Sequence, residues 1–373
     1  MTIIAEKLRV LFVLDTTDRG ERAMIIEMNR LGVDATVICR PDAPGRVVLE
    51  DAGIRVVPIH FRSKLDRSAR KAIQQLLRHE SFDIVHVFSK KPLINWALAT
   101  LFRKSPPVVA YRGIIGNMSY WDPFSWLSFL NPGIKRWVCV CDAIRGYFLN
   151  KKFLFVFSLF RPERVVTIHK GHRLEWYQHE DGEPVLPGLG VPLGVPVIGC
   201  IARMKKRKGI LELIKSMELI QADPEPHLVL VGRVLDAEIA AACERSKSRK
   251  RIHMLGFQPE AARMAKEFTI QTLPSLRREG LPRAVIEGMA QGVAPVVSDS
   301  GGNPDLVEDQ ISGLVVPAGN VESLAEAFSY LLAHPDKAKQ MGEEARLRIR
   351  DHFTVEKTVE QTLELYRSVL REA

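Results

Sequence analysis

Two carboxylates and two cations carry the chemistry that this sequence is equipped to do. Glu279 and Glu287 fall in the run Pro274-Ser275-Leu276-Arg277-Arg278-Glu279-Gly280-Leu281-Pro282-Arg283-Ala284-Val285-Ile286-Glu287-Gly288-Met289-Ala290. Pro282 suits the first position of a helix, where its missing N–H would be unpaired anyway. Residues 283–291 read as that helix, and Gly292 as its stop. Glu279 is then presented from a loop beside the helix start. Glu287 lies about a turn and a half inside, at ~3.6 residues per turn. A helix N-terminus favours phosphate, because its free N–H groups point at the ligand. Two acceptor-only carboxylates beside such a site suit a ligand carrying phosphate and sugar hydroxyls together, as a nucleotide-sugar does.

The cations stand in a second cluster. Val197-Ile198-Gly199-Cys200-Ile201-Ala202 is apolar throughout and reads as a buried strand. It runs into Arg203-Met204-Lys205-Lys206-Arg207-Lys208-Gly209, and a helix begins near Ile210. Open α/β sheets bind ligands at the carboxyl ends of their strands. Arg203 and Lys208 sit at such an end, where together they can neutralise a pyrophosphate. Lys205, Lys206 and Arg207 read as solvated neighbours.

The elements that position these groups follow from patterning. Apolar runs at 8–14, 34–39, 55–59, 83–88 and 107–111 alternate with helical patterns near 20–32, 66–79 and 92–103. That is the signature of parallel βαβ units. Residues 183–196 interrupt the series with four prolines and three glycines in fourteen residues, which reads as a linker. A second alternating series begins at Val197. At 373 residues, two domains are the natural expectation, with the boundary at about residue 185.

Arg203 with Lys208-Gly209, then Glu279 and Glu287 with seven residues between them, resemble the donor site of the family 4 (group 1) glycosyltransferases. Leu228-Val229-Leu230-Val231-Gly232, Met254-Leu255-Gly256-Phe257, Ser300-Gly301-Gly302-Asn303-Pro304 and Gly313-Leu314-Val315-Val316-Pro317 follow in the order that family has. The likeness is strong over 195–353 and weak before it. It implies an α/β GT-B fold: two facing Rossmann-like domains with mostly parallel sheets and a cleft between them. Residues 1–185 would bind the acceptor and 186–353 the nucleotide-sugar, with 354–373 as a helix crossing back to the first domain. It further implies donor contacts from Arg203, Lys208, Glu279, Gly280, Leu281, Glu287 and Gly256, with Glu287 on the ribose hydroxyls and Glu279 against the donor sugar. Glu279, Arg203 and Lys208 would form the catalytic set. Transfer with retention of configuration is implied by the resemblance alone. Asp305 stands where relatives carry Glu, and reads as a helix cap.

The first half departs from that pattern. A glycine-rich turn is expected after the first strand, yet Asp15-Thr16-Thr17-Asp18-Arg19-Gly20-Glu21 offers only Gly20 for close approach to a donor phosphate. A histidine expected after Val108-Val109-Ala110 is replaced by Tyr111-Arg112-Gly113. Arg112, Lys90 and His86 follow buried strands and are the candidates for acceptor contact. His169 and His172 are assigned no chemistry.

Composition narrows the remainder. Hydrophobic content of 46% and charged content of 26% are ordinary for a soluble globular protein. The five cysteines, Cys39, Cys139, Cys141, Cys200 and Cys243, are odd in number and lie mostly in apolar runs. They read as buried thiols in a reducing compartment. No secretory signal and no span of ~20 apolar residues is evident. Residues 1–180 hold 28 Lys and Arg against 17 Asp and Glu, a balance of +11, whereas 181–373 hold 25 against 27, a balance of −2. Scattered basic residues without a nucleic-acid motif argue against nucleic acid. They suit an anionic membrane surface or simple solvation. Two aromatic runs flanked by basic residues, 119–130 and 153–160, suit either a membrane interface or a core.

These readings converge on a cytoplasmic glycosyltransferase, peripheral at the inner face of the plasma membrane. It would take a nucleotide-sugar as substrate, need no cofactor, and act on a glycan or lipid-linked acceptor of bacterial envelope or lipopolysaccharide synthesis. Without an Asp-x-Asp motif, metal independence is expected. The rivals are a nucleotide-sugar epimerase of the same fold and a non-catalytic sugar-nucleotide or lipid-binding protein. A dinucleotide oxidoreductase is disfavoured by the absence of Gly-x-Gly-x-x-Gly after the first strand.

Overall fold

The alternation of apolar and amphipathic segments becomes two parallel sheets with intervening helices in a computed structural model of the chain. The structure describes residues 8–101, 103–116, 118, 122–153, 157–177 and 183–372. It divides into two units: Met1–Gly171 with Thr354–Ala373, and His172–Phe353.

The first unit carries strands β1 (Arg9–Val13), β2 (Asp34–Cys39), β3 (Arg55–Pro58), β4 (Ile84–Val87), β5 (Val108–Arg112), β6 (Ile134–Cys139) and β9 (Val165–Thr167), with the short antiparallel pair β7 (Lys152–Phe153) and β8 (Phe157–Ser158) beside them in sequence. Its helices are α1 (Arg19–Arg30), α2 (Arg46–Asp51), α3 (Arg67–His79), α4 (Lys90–Ala99), α5 (Pro123–Phe129) and α6 (Asp142–Leu149). The sheet order is β3-β2-β1-β4-β5-β6-β9, parallel at every described pairing. Val10, Leu11, Phe12 and Val13 of the central strand are fully buried, as strands covered on both faces must be. Asp18 starts α1 with a capping box: its carboxylate accepts from Glu21 N–H, and Glu21 reaches back to Asp18 N–H.

The second unit carries β10 (Val197–Ile201), β11 (His227–Val231), β12 (Ile252–Gly256), β13 (Ile270–Leu273), β14 (Ala294–Ser298) and β15 (Leu314–Val316). Its helices are α7 (Ile210–Ser216), α8 (Ala237–Arg245), α9 (Ala261–Met264), α10 (Arg283–Ala290), α11 (Asn303–Leu306), α12 (Val321–Ala333) and α13 (Pro335–His352). The order β12-β11-β10-β13-β14-β15 is again parallel. In each sheet the order reverses beside the first strand, between β1 and β4 and between β10 and β13. The last helix, α14 (Val355–Arg371), packs on α1 in the first unit. There the Tyr366 hydroxyl lies 2.6 Å from His86 Nδ1.

The division falls at Gly171/His172 and not near residue 185. The proline-rich stretch is held by the second unit. Leu186 and Val191 are buried against Val197, Val229 and Phe268, and the Glu267 carboxylate accepts from Val185 N–H at 2.7 Å and Leu186 N–H at 3.0 Å. Pro and Gly mark turns; they do not say which body a turn packs on. Pro282 is the N-cap of α10, one residue before the position expected for it. Asp305 lies inside the short α11, whose N-cap is Gly302, so it does not cap that helix.

All five cysteines are buried, and none forms a disulfide. Burial pushes the Cys139 and Cys200 thiols up to about 12. No described helix is long and apolar enough to cross a membrane.

Three buried or half-buried histidines make the fold acid-sensitive. Desolvation pushes His86 down to about 3. In the second unit, His227 Nδ1 and His253 Nε2 are 2.8 Å apart on neighbouring strands, and burial lowers both, with His253 further lowering His227. A histidine whose folded pKa is depressed stabilises the fold above the unfolded value of about 6.5, and that stability is lost as pH falls below it. The thermal midpoint is expected to drop between about pH 7 and pH 5, and His253→Gln to flatten that slope. Equal slopes in the two proteins would remove the pair from the account.

Candidate active site

The reversal of strand order between β10 and β13 leaves a crevice at their carboxyl ends, and both halves of the expected donor site arrive there. Beyond β10 the chain turns through Lys205-Lys206-Arg207-Lys208 into Gly209, which has φ +71° and begins α7. A Cβ on Gly209 would lie 1.9 Å from the Pro274 carbonyl oxygen, so only glycine lets this turn press against the loop after β13. Leu276 N–H donates to the Arg207 carbonyl at 2.9 Å and joins the two loops directly.

That closeness brings Lys208 to Glu279. Lys208 Nζ lies 2.6 Å from Glu279 Oε2, which also accepts from Ser275 Oγ at 2.7 Å. Lys208 is 9% exposed and Glu279 7%. Expectation had Lys208 and Arg203 sharing one anion; instead Lys208 already has a carboxylate. An ammonium has three donors, so two remain for a ligand. Arg203 is exposed at the end of β10, and its charge is the less compensated of the two.

The Glu279 loop is shaped from below. Arg278 adopts φ +61°, uncommon for a side-chain-bearing residue. Gly301 has φ +64°, and a Cβ there would meet the Glu279 carbonyl oxygen at 2.3 Å. Gly302 N–H donates to the Gly280 carbonyl at 3.0 Å. The Gly-Gly turn therefore seats Glu279 and Gly280 from beneath, while Leu281 is half-buried against the core. Glu287 is 7% exposed on α10. Burial raises its pKa, offset in part by Arg283, whose Nε is 2.9 Å away and whose side chain is largely exposed. Gly256 ends β12 at φ +65° with open space where a Cβ would stand. Next to it Phe257 is exposed, with the Arg233 guanidinium 5.5 Å from its ring centre. Arg233 and Phe257 both follow strand ends of this sheet; sequence reasoning passed over the arginine because no motif marks it.

The first-unit candidates fare differently. His86 is 1% exposed, stacked on Phe88 and covered by Tyr366, so it is a core residue rather than an open ligand contact. Arg112 is buried and turned inward: Nε donates to the Ile114 carbonyl at 3.1 Å, and Nη2 to that of Gly116. Lys90 Nζ is 3.2 Å from both Asp122 Oδ2 and Ser125 Oγ. Gly20 lies within the first turn of α1 rather than in a phosphate-facing loop. A Cβ there would meet Lys170 Cγ at 2.9 Å. Lys170, unmarked in the sequence, fills that space; it pairs with Asp18 and with Glu21 and lies over the Tyr111 ring. Of the aromatic runs, Phe129 and Phe160 are buried around Trp137 and Phe148, which makes them core. Residues 119–121 and 154–156 lie outside the described residues. Among the described residues, no group of three or more His, Cys, Asp or Glu is arranged to hold a metal ion.

Residues 22–171 match the glycosyl transferase 4-like domain, and residues 187–348 match the glycosyl transferases group 1 model. The chain belongs to the group 1 glycosyltransferases. It is 31% identical over 226 residues to alpha-maltose-1-phosphate synthase of Mycolicibacterium smegmatis, covering 56% of this chain and 58% of the relative. It is 31% identical over 199 residues to the lipopolysaccharide core biosynthesis mannosyltransferase LpcC of Rhizobium leguminosarum, covering 51% and 56%. The chain thus spans little more than half the length of these curated relatives. A glycosyltransferase crystal structure from Rickettsia africae superposes with a TM-score of 0.81 at 19% identity, covering 99% of this chain and 100% of that one. The fold is GT-B.

The buried pair makes a stability prediction for this group 1 chain. Removing one partner leaves the other charge uncompensated, at about 3–5 kcal/mol. Glu279→Ala should lower the unfolding free energy by roughly that amount, and the double change Lys208→Met/Glu279→Leu should recover most of it. Denaturant titration measures both; an additive double mutant would mean that the two side chains do not act as a pair.

Proposed function

We propose that the chain transfers a glycosyl group from a nucleotide-sugar to a glycan or lipid-linked acceptor, with retention and without a metal ion, in bacterial envelope or lipopolysaccharide synthesis. The observation that carries this reading is the Lys208–Glu279 pair at the β10/β13 crevice, with Arg203 exposed just past the end of β10 and Glu287 on α10. As the glycosidic bond breaks, negative charge grows on the departing nucleoside diphosphate. Arg203 and the two remaining Lys208 donors stabilise that charge more than they stabilise the substrate, which is what accelerates a reaction. Glu279 holds Lys208 in place and keeps an oxygen for a sugar hydroxyl. The buried Glu287 carboxylate suits the paired hydroxyls of a ribose. The similarity to a lipopolysaccharide core mannosyltransferase supports the envelope assignment.

Arg203→Ala should cut turnover by roughly 10²–10³-fold, the usual loss for one transition-state donor. Glu287→Ala should weaken nucleoside diphosphate binding by about 1.5–3 kcal/mol at unchanged thermal stability. Calorimetric titration and release of nucleoside diphosphate, with and without acceptor and with EDTA throughout, test the set. Release that needs no acceptor would favour a hydrolase, and conversion of the nucleotide-sugar without net release an epimerase. Normal turnover in a folded Arg203→Ala protein would remove the phosphate role.

The +11 balance of residues 1–180 supports a place at the anionic inner face of the plasma membrane. Flotation with anionic vesicles should carry the protein at low salt and release it at high salt, since attraction is screened beyond ~10 Å at 0.1 M. Protein that stays with the soluble fraction at low salt would assign the charge to solubility or to an anionic acceptor.

A further inference from the structure

Glu279 stands at the end of a line of buried side chains that reaches it from the neighbouring strand and helix. Ser275 Oγ donates to Glu279 Oε2 at 2.7 Å, from four residues back along the same loop. Ser298 Oγ, at the end of β14, donates to the Ser275 carbonyl at 2.6 Å. Asn303 Nδ2, at the start of α11, donates to the Ser298 carbonyl at 2.9 Å and lies 3.4 Å from both Ser298 Oγ and the Leu273 carbonyl. Ser275, Ser298 and Asn303 are all buried. Asn303 Oδ1 is sealed in with no partner among the described residues. The Asn303 amide therefore serves the line even though its own acceptor goes unmet, which costs stability.

Both protein donors to Glu279 take the same oxygen. Lys208 Nζ lies 2.6 Å from Oε2 and Ser275 Oγ 2.7 Å from it. Oε1 takes no hydrogen bond from the described residues and is not sealed from solvent; the Glu279 side chain keeps 9% of its surface open. A lysine ammonium is a compact point charge on a flexible stem, so it attracts a carboxylate without fixing its rotation. A second, directional donor on the same oxygen does fix it. The Ser275 hydroxyl has one proton, and that proton goes to Oε2. We propose that Ser275 is a positioning residue for glycosyl transfer: it turns Glu279 so that Oε1 meets a hydroxyl of the donor sugar. This rests on the glycosyl-transfer reading and adds the group that sets the aim of its carboxylate. Ser275 is fully buried and touches no ligand; it acts through Glu279. Ser298 and Asn303 hold it from behind, so the loop cannot drift without breaking several buried bonds. A bound hydroxyl is a small target, and a carboxylate that is free to swing loses much of its grip on it.

The test separates the sugar from the nucleotide. The full chain is titrated calorimetrically with UDP and GDP, and with UDP-glucose, UDP-galactose, UDP-N-acetylglucosamine and GDP-mannose. The readout is the ratio of the affinity for a nucleotide-sugar to that for its parent nucleoside diphosphate. Ser275→Ala should shrink that ratio about tenfold, the loss expected when a hydrogen bond to a charged group goes, while affinity for the nucleoside diphosphate holds. Ser275→Thr, which keeps the hydroxyl, should restore the ratio. Ser275→Cys is close in shape and a weak donor, so it should resemble Ser275→Ala and serves in its place if the alanine protein folds poorly. An unchanged ratio in a folded Ser275→Ala or Ser275→Cys protein overturns the proposal. So does an equal weakening of nucleotide and nucleotide-sugar, which is what a merely structural serine would produce. A wild-type chain that binds none of the six ligands would instead refute the donor reading.

Discussion

Everything functional in this molecule hangs on a topological constraint. A parallel sheet cannot reverse its strand order without two neighbouring strands sending their loops apart, and the gap opens at their carboxyl ends. Each of the two sheets reverses once, beside its first strand. In the second unit, two residues 71 apart in sequence bring an ammonium and a carboxylate into one buried contact.

The charged pair exists because glycines make room for it. Gly209 lets one loop touch the other, and Gly301 lets a third lie under Glu279. A methyl group at either would push the loops apart by more than a hydrogen bond can stretch. These glycines therefore act on electrostatics through sterics. In exchange the pair is dry, and a dry ion pair is directional where a wet one is not.

Strand and helix order was legible because a parallel βαβ series writes apolar runs and amphipathic stretches alternately, and the series survived with most edges shifted by a residue or two, although α4 ends four residues before the expected 103. The candidate donor residues were legible as types at the end of a buried strand and at the start of a helix. Their mutual contact was not. Lys208 and Glu279 look like two ligands for a third party, and only the register of β10 against β13 shows that they hold each other. Arg112, Lys90 and His86 were attractive because they follow strands; position after a strand does not reveal that a side chain has turned back to a carbonyl or a neighbour. Residues 183–196 looked like a linker because composition reports the turns and not the buried Leu186 and Val191 that anchor them.

The first unit is discontinuous: it is interrupted after Gly171 and resumes at Thr354. Gly171 packs so closely on the Thr354 and Val355 backbone that no side chain would fit, and just beyond it His172 N–H donates to the Phe353 carbonyl at 2.7 Å. During synthesis the second unit emerges whole before α14 exists. It can fold as a continuous piece while the earlier unit still lacks the helix that lies against α1 and places Tyr366 over His86. The unit begun first can thus be completed only after the other has been made, since the tyrosine that meets its buried histidine lies 280 residues further along the chain.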